Sequence, residues 1–213
     1  MEHAFYGEAY GDAACRSFLN ERGISYEYVE DEATLAGSVS EALEAGQVVG
    51  LFQGRFEWGP RALGNRSILA DPRSAEMKEI VNTKIKFREP FRPFAPVVPE
   101  ERAGEYFDLQ KADGQYPPRF MLMVSGVHPD KQDEIAAVSH MGTGRLQTIR
   151  REWNPRYYDI VTAFGERTGT PVLLNTSFNL RGEPIVTTPA NAFSTFSQSD
   201  IDLLVLERFV VRK

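Results

Sequence analysis

Two short apolar runs, Val48-Val49-Gly50-Leu51-Phe52 and Ser67-Ile68-Leu69-Ala70, flank a stretch that regular structure cannot hold. In that stretch, Gly54–Asn65, the residues Gly54, Gly59, Pro60 and Gly64 punctuate a run that carries Arg55 and Arg61 and leads directly into Arg66. Glycine and proline at this density break helices and ladders, whereas unbroken apolar runs of this length mark strands buried on both faces. Asp71-Pro72 stops the second run, so the chain is committed to a layered sheet interrupted by a loop with a purpose. Glycines let backbone approach a ligand, and guanidinium groups hold anionic oxygens in pairs. The competing reading is a solvated charged loop with ordinary turn glycines. No Gly-Lys-Ser/Thr follows these glycines, and no glycine triplet follows Leu51, which excludes the common phosphate and dinucleotide loops.

Around this loop, helix and strand signals alternate without a repeat or a low-complexity linker. Residues 1–30 read as a polar, aromatic-dotted arm, with a helix around Gly11–Arg22 and a short strand at Tyr26–Val29. The main domain is expected over residues 31–213, opening on a helix with Leu35, Val39, Ala42 and Leu43 on one face and Gly46 as its stop. Ser74 is positioned to cap a helix carrying Met77, Ile80, Val81 and Ile85, with acids early and Lys84 and Lys86 late, as the helix dipole favours. Met121–Val124, Ala137–Ser139 and Leu146–Ile149 read as strands. Asn154-Pro155 opens the clearest helix, with Trp153, Tyr157, Ile160, Val161 and Phe164 at helical spacing until Gly165 and Gly169. A strand over Pro171–Leu174, a helix from Thr188-Pro189 through Phe196 and strands at Leu203–Leu206 and Phe209–Val211 complete an α/β or α+β domain with a mixed sheet.

The formal charge of -6 argues against a general nucleic-acid binder, whose affinity would rest on many Lys and Arg. That net value hides a basic stretch: Gly54–Arg92 holds nine Lys or Arg against five acids, enough to receive an anion. One cysteine, Cys15, excludes an intrachain disulfide framework, and Met1–Tyr10 has neither the basic segment nor the apolar run of a signal peptide. A reducing cytoplasm is the expected compartment. No segment approaches the roughly 20 apolar residues that span a bilayer. His3, His128 and His140 are scattered, and Asp108, Asp113 and Asp159 lack ligand spacing, so no built-in metal site is expected.

Three further places could carry chemistry. Lys86-Phe87-Arg88 puts two cations two residues apart, and they project together if the chain is extended there; complementing a helix terminus is the plainer role. Asn175-Thr176-Ser177-Phe178-Asn179 follows an apolar strand, so Ser177 and Asn179 would share a side, although a simple side-chain turn would use the same residues. Ser177 has no nucleophile elbow around it. Between Ser139 and Gln147 polar groups stand between two strands, and His140 is a candidate acid or base, although a lone histidine is more often structural.

Taken together, Gln53-Gly54-Arg55, Gly59-Pro60-Arg61-Ala62-Leu63-Gly64-Asn65-Arg66-Ser67, Asp71-Pro72-Arg73, Lys86-Phe87-Arg88-Glu89, Phe91-Arg92-Pro93-Phe94-Ala95-Pro96 and Asn175-Thr176-Ser177-Phe178-Asn179 resemble the C-terminal half of the bacterial O-carbamoyltransferases that decorate antibiotics and nodulation factors. The resemblance runs from about Glu30 onwards. It implies a YrdC/Sua5-like fold, a twisted mixed sheet with flanking helices and a basic concave face. It also implies ATP and carbamoyl phosphate as substrates, with magnesium carried on ATP, and carbamoyladenylate and pyrophosphate among the products. On this basis Lys86, Arg88, Ser177 and Asn179 would form the catalytic anion and nucleotide group. Arg55, Arg61, Arg66, Ser67, Arg92, Arg145 and Asn175 would hold the remaining substrate oxygens. Family members commonly carry an Asp before the Gly-Thr of the His140–Gln147 region, where this chain has Met141. Complete enzymes add an N-terminal, metal-binding Kae1-like domain that transfers the carbamoyl group to an acceptor hydroxyl, so a partner subunit or domain is expected. The alternatives are a noncatalytic nucleotide-binding or regulatory module, and a YrdC-like RNA-binding protein, against which the acidic charge weighs.

Overall fold

The computed structural model describes residues 2–109 and 116–213; Met1 and Asp113 lie outside them. The chain opens with helix α1 (Gly11–Glu21), strand β1 (Glu27–Tyr28), helix α2 (Glu32–Glu44) and strands β2 (Val49–Phe52) and β3 (Arg66–Ala70). Helix α3 (Ala75–Ile80) runs into a π turn (Val81–Ile85) before β4 (Ala95–Pro99). After the short α4 (Tyr116–Arg119) come β5 (Val124–Gly126), β6 (Thr143–Arg145) and β7 (Gln147–Ile149). Helix α5 (Pro155–Thr168), β8 (Leu173–Ser177), α6 (Pro189–Ser197), β9 (Leu203–Leu206) and β10 (Phe209–Arg212) close the fold.

Eight strands form one mixed sheet in the order β1-β10-β9-β2-β3-β8-β4-β7, and β5 pairs with β6 in a small ribbon. The β2–β9 and β4–β7 pairs are parallel and the other pairs in the large sheet are antiparallel. The central strands read as continuous apolar runs because both faces are covered. Val49, Leu51, Leu69, Leu173, Leu203 and Val205 pack with Leu35, Val39 and Leu43 of α2 and Ile160, Val161 and Phe164 of α5. Phe52, Ile68, Leu174, Leu204 and Leu206 pack on the other face with Cys15 and Leu19 of α1, Met77, Val81 and Ile85 from α3 and its π turn, and Phe196 of α6. Alternate side chains thus feed two cores from one sheet. The arm contributes to one of these cores through α1, and β1 pairs with β10, Glu27 opposite Val210. Helix α5 has the termini its sequence predicts: the Asn154 side chain accepts from Tyr157 N, Pro155 follows, and Gly169 takes a φ of 81°.

Three local expectations give way. Ala137–Ser139 is a run of turns, with Val138 N and Ser139 N both donating to Ile135 O at 3.0 Å, while Ile135, Ala137 and Val138 are buried. Burial without a ladder produces an apolar run that sequence cannot tell from a strand. Met121 sits at a φ of 55°, so only Val124 of the Met121–Val124 run enters a strand. Ser74 occupies the N-cap position of α3 in extended backbone, but its side chain makes no capping bond.

Candidate active site

The antiparallel order β3-β8-β4 brings the start of β3, the end of β8 and the start of β4 to one end of the sheet, with Ser67 opposite Ser177 and Ala95 opposite Asn175. A cavity opens there. Its inner part, about 90 Å³, is walled by Pro60, Arg61, Ala62, Arg88, Phe94, Arg145 and Asn175–Ser177. Its outer part, about 440 Å³, adds Arg92, Val124, His140 and Thr143, and Arg61, Arg88 and Arg145 belong to both. Among the described residues, no ion pair engages Arg61, Arg88 or Arg145, whereas Arg92 pairs with Glu89 at 2.8 Å. Burial, then the Arg92 charge, lowers the Arg88 pKa, and burial, then the Arg61 charge, lowers that of Arg145. Partly desolvated like charges gathered without counter-charges repel one another, and an incoming anion relieves that repulsion. Two buried atoms here also have no hydrogen-bond partner, Arg145 Nε and Asn175 Oδ1.

The loop that delivers Arg61 is organised by a residue the sequence reading passed over. Glu57, 2% exposed, accepts through Oε1 from Leu63 N at 2.8 Å, Asn65 N at 2.7 Å and Arg66 N at 3.1 Å. Burial raises its pKa, and the backbone N–H groups oppose the rise. The signal available in sequence was an acid inside a loop otherwise made of Gly, Pro and Arg. Gly64 is obligatory at the far end of this loop: its φ is 113°, and a Cβ there would meet the Tyr157 ring at 2.2 Å.

Lys86 and Arg88 do not project together. Phe87 takes a φ of 46°, which breaks the extended geometry that would have aligned them. Arg88 lines the cavity, with its guanidinium 4.9 Å from the Phe94 ring centroid. Lys86 turns away and is buried: its Nζ donates to Ser177 O at 2.8 Å, Asn179 O at 2.8 Å and Asn179 Oδ1 at 2.7 Å, with Ser177 Oγ at 3.4 Å. The three short contacts match the three N–H groups of an ammonium. Burial, reinforced by Arg88, brings the Lys86 pKa down to about 7. Ser177 Oγ donates to Asn179 Oδ1 at 2.7 Å, so Lys86, Ser177 and Asn179 form one bonded group behind the cavity wall, of which Ser177 reaches the cavity.

Asn175 is set by a chain of amides. Gln147 Nε2 donates to Leu63 O at 2.9 Å, leaving Gln147 Oε1 to accept from Asn175 Nδ2 at 2.6 Å, and Asn175 Nδ2 also reaches Ala62 O at 3.2 Å. His140 stands at the cavity mouth in a turn, 3.5 Å from Lys78 Nζ through Nδ1.

Three expected ligands lie elsewhere. Arg66 is fully buried and spends its guanidinium on the carbonyls of Gln53 at 2.5 Å and Asn65 at 2.8 Å, stacked 3.7 Å from the Phe52 ring centroid. Ser67 is fully buried, and its hydroxyl accepts from Gly64 N at 3.0 Å. Both brace the loop and neither lines the cavity, because strand β3 has already begun at Arg66 and carries their side chains into the two cores. Arg55 lines a different cavity, of about 750 Å³, and donates to Gly7 O at 3.2 Å. Among the described residues no group of three or more His, Cys, Asp or Glu is placed to hold a metal ion, and no helix is long and apolar enough to cross a membrane.

Residues 40–213 match the family described as Carbamoyltransferase C-terminus. The nodulation protein NolO of Bradyrhizobium diazoefficiens is 49% identical over 180 residues, covering 84% of this chain and 32% of that protein. The 3'-hydroxymethylcephem-O-carbamoyltransferase of Amycolatopsis lactamdurans is 41% identical over 149 residues, covering 70% of this chain and 27% of that protein. This chain therefore spans about a third of the length of the first relative, 32%, and less of the second. Among solved structures, a full-length HypF in its phosphate- and nucleotide-bound form aligns with a TM-score of 0.58 at 16% identity, over 83% of this chain and 25% of that one, a likeness of fold. A mixed sheet with flanking helices, an arginine-lined cavity at its end and a match running from α2 to the last residue lead to one conclusion: the chain belongs to the carbamoyltransferase C-terminus family.

Proposed function

We propose that this chain is the carbamoyl-activating unit of an O-carbamoyltransferase, forming carbamoyladenylate from ATP and carbamoyl phosphate. The observation that carries the reading is the convergence of Arg61, Arg88 and Arg145, without ion-pair partners among the described residues, on one cavity beside Ser177. In the balanced reaction, water cleaves carbamoyl phosphate to carbamate and phosphate. A carbamate oxygen then attacks the α-phosphorus of ATP, the bond to the β-phosphate oxygen breaks, and pyrophosphate leaves. Both steps move negative charge among phosphate oxygens, so positioning and electrostatic stabilisation supply most of the rate.

Arg61, Arg88 and Arg145 hold phosphate oxygens, with Arg92 at the mouth. Asn175 and Ser177, on the cavity wall, orient the carbamoyl group, and Arg145 beside them holds its oxygen. Lys86 and Asn179 hold Ser177 in place. Magnesium enters on the ATP phosphates. A Kae1-like domain, on a partner subunit or in the remainder of a longer chain, receives carbamoyladenylate and transfers its carbamoyl group to an acceptor hydroxyl; the relatives' greater length supports such a second part.

Pyrophosphate release from ATP by the purified chain, with and without carbamoyl phosphate, tests the reading. Release that requires carbamoyl phosphate and falls sharply in Arg145→Ala is the expected result. Release independent of carbamoyl phosphate, or none from a folded chain, overturns autonomous activation.

A further inference from the structure

Two of the cavity arginines are set in place by a side chain that does not line the cavity. Asn82, fully buried, lies in the π turn after α3, whose i-to-i+5 bond runs from Lys86 N to Val81 O at 2.9 Å. Its Oδ1 accepts from Arg88 Nε at 2.7 Å, and its Nδ2 donates to Pro90 O at 3.1 Å and Arg92 O at 3.0 Å. Its own carbonyl accepts from Arg88 N at 2.9 Å. The orientation of the amide follows from its partners, since a guanidinium only donates and a carbonyl only accepts. Every bond this side chain makes is directed at residues 88–92.

The choice of an amide has an electrostatic consequence. Gripping Arg88 through Nε leaves the two terminal nitrogens of its fork for paired oxygens of a ligand. A neutral amide does this without cancelling the positive charge, which a carboxylate at the same position would do. π turns interrupt helices frequently at functional sites, and here the interruption brings Asn82 and the Arg88 loop into register.

We propose that Asn82 is a positioning residue of the anion site, holding Arg88 and the Arg92-bearing loop for a phosphate-bearing ligand while leaving the Arg88 charge uncompensated. The inference rests on the reading of the cavity as an anion site. Its test is calorimetric titration of pyrophosphate into the wild type, Arg88→Ala, Asn82→Ala, the double variant and Asn82→Asp, with thermal unfolding of each. Asn82→Ala is expected to weaken binding by about tenfold, the scale of one lost hydrogen bond to a charged group. The double variant is expected to bind within about twofold of Arg88→Ala, because a residue acting through Arg88 adds nothing once Arg88 is gone. Asn82→Asp keeps the acceptor yet is expected to bind about tenfold more weakly, the same hydrogen-bond scale, because it neutralises the guanidinium and loses two donations.

A folded wild type that takes no pyrophosphate removes the anion-site reading itself. Wild-type binding with Asn82→Ala unchanged, or losses that add in the double variant, overturns the role of Asn82 alone. Should Asn82→Ala not fold, wild-type affinity in Asn82→Asp overturns it equally.

Discussion

Of two arginine-lined cavities, one beside Arg55 and one at the end of the β3-β8-β4 strands, the larger is the quieter. In the cavity of about 750 Å³, Arg156 pairs with Glu32 at 2.6 Å and Glu207 at 3.1 Å, and Arg151 pairs with Asp159 at 2.8 Å. Its charges are largely spent within the protein. In the smaller cavity Arg61, Arg88 and Arg145 have no such partners among the described residues, and burial followed by a neighbouring arginine, Arg92 for Arg88 and Arg61 for Arg145, holds two of the three below the ordinary arginine pKa. Volume alone would point to the first, whereas uncompensated charge points to the second. An anion entering the first must displace existing partners, and in the second it supplies the missing one.

The sharpest way to break this comparison is Arg88→Ala, expected to lower carbamoyl-phosphate-dependent pyrophosphate release by about 10²–10³-fold, as loss of a transition-state charge donor does; a loss under threefold, read from kcat/KM, would deny the small cavity its role. Next is Arg66→Met, which tests the division between frame and site. Removing its bonds leaves the Gln53 carbonyl without its donor and the Asn65 carbonyl with Gln53 N alone, at a cost of about 3 kcal/mol in denaturant unfolding. The residual folded protein should bind pyrophosphate with the wild-type affinity; a stable variant that has lost only binding would return Arg66 to the site.

A third prediction concerns pH. Lys86 has a folded pKa of about 7, below its ordinary value of 10.5. Below pH 7 both folded and unfolded chains carry the charge and the burial cost is full. Above it the folded chain loses the proton first, so the contribution of Lys86 to stability rises with pH until the unfolded lysine also titrates. Relative to Lys86→Met, the wild type should gain on the order of 2 kcal/mol between pH 6 and pH 9; a constant difference would mean that the ammonium keeps its proton on its three oxygens. The smallest effect belongs to the large cavity: Arg151→Ala should leave the unfolding midpoint unchanged and pyrophosphate release within about twofold, because Arg151 is exposed in its partnership with Asp159. A larger loss of activity would erase the distinction between the cavities.

Much of the frame was legible in the residues. The unbroken run at β2 announced a strand covered on both faces, the run at β9 a strand, and Asn154-Pro155 with Gly169 announced α5, because these signals act within a turn or a strand of the residues that carry them; the strand expected over Pro171–Leu174 instead runs Leu173–Ser177 and takes in Asn175, which was read as loop. The Ser177–Asn179 contact was legible for the same local reason. Ala137–Ser139 was misread because apolar composition records burial and says nothing of whether the buried backbone ladders or turns. Glu57 and Asn82 were passed over because a buried polar residue identifies itself only by its partners, and those lie up to nine or ten positions away across a folded loop.

By itself, then, the sequence determined that this chain builds a layered sheet around an arginine-bearing loop, and which family it belongs to, since both are written in short contiguous segments. Tertiary structure alone decided which cations serve the cavity. The positive φ at Phe87 separates Lys86 from Arg88, the start of β3 buries Arg66 and Ser67, and the fold carries Arg145 from β6 to meet Arg61. A side chain's direction depends on backbone angles and on neighbours remote in sequence, and neither is carried by the identity of the residue itself.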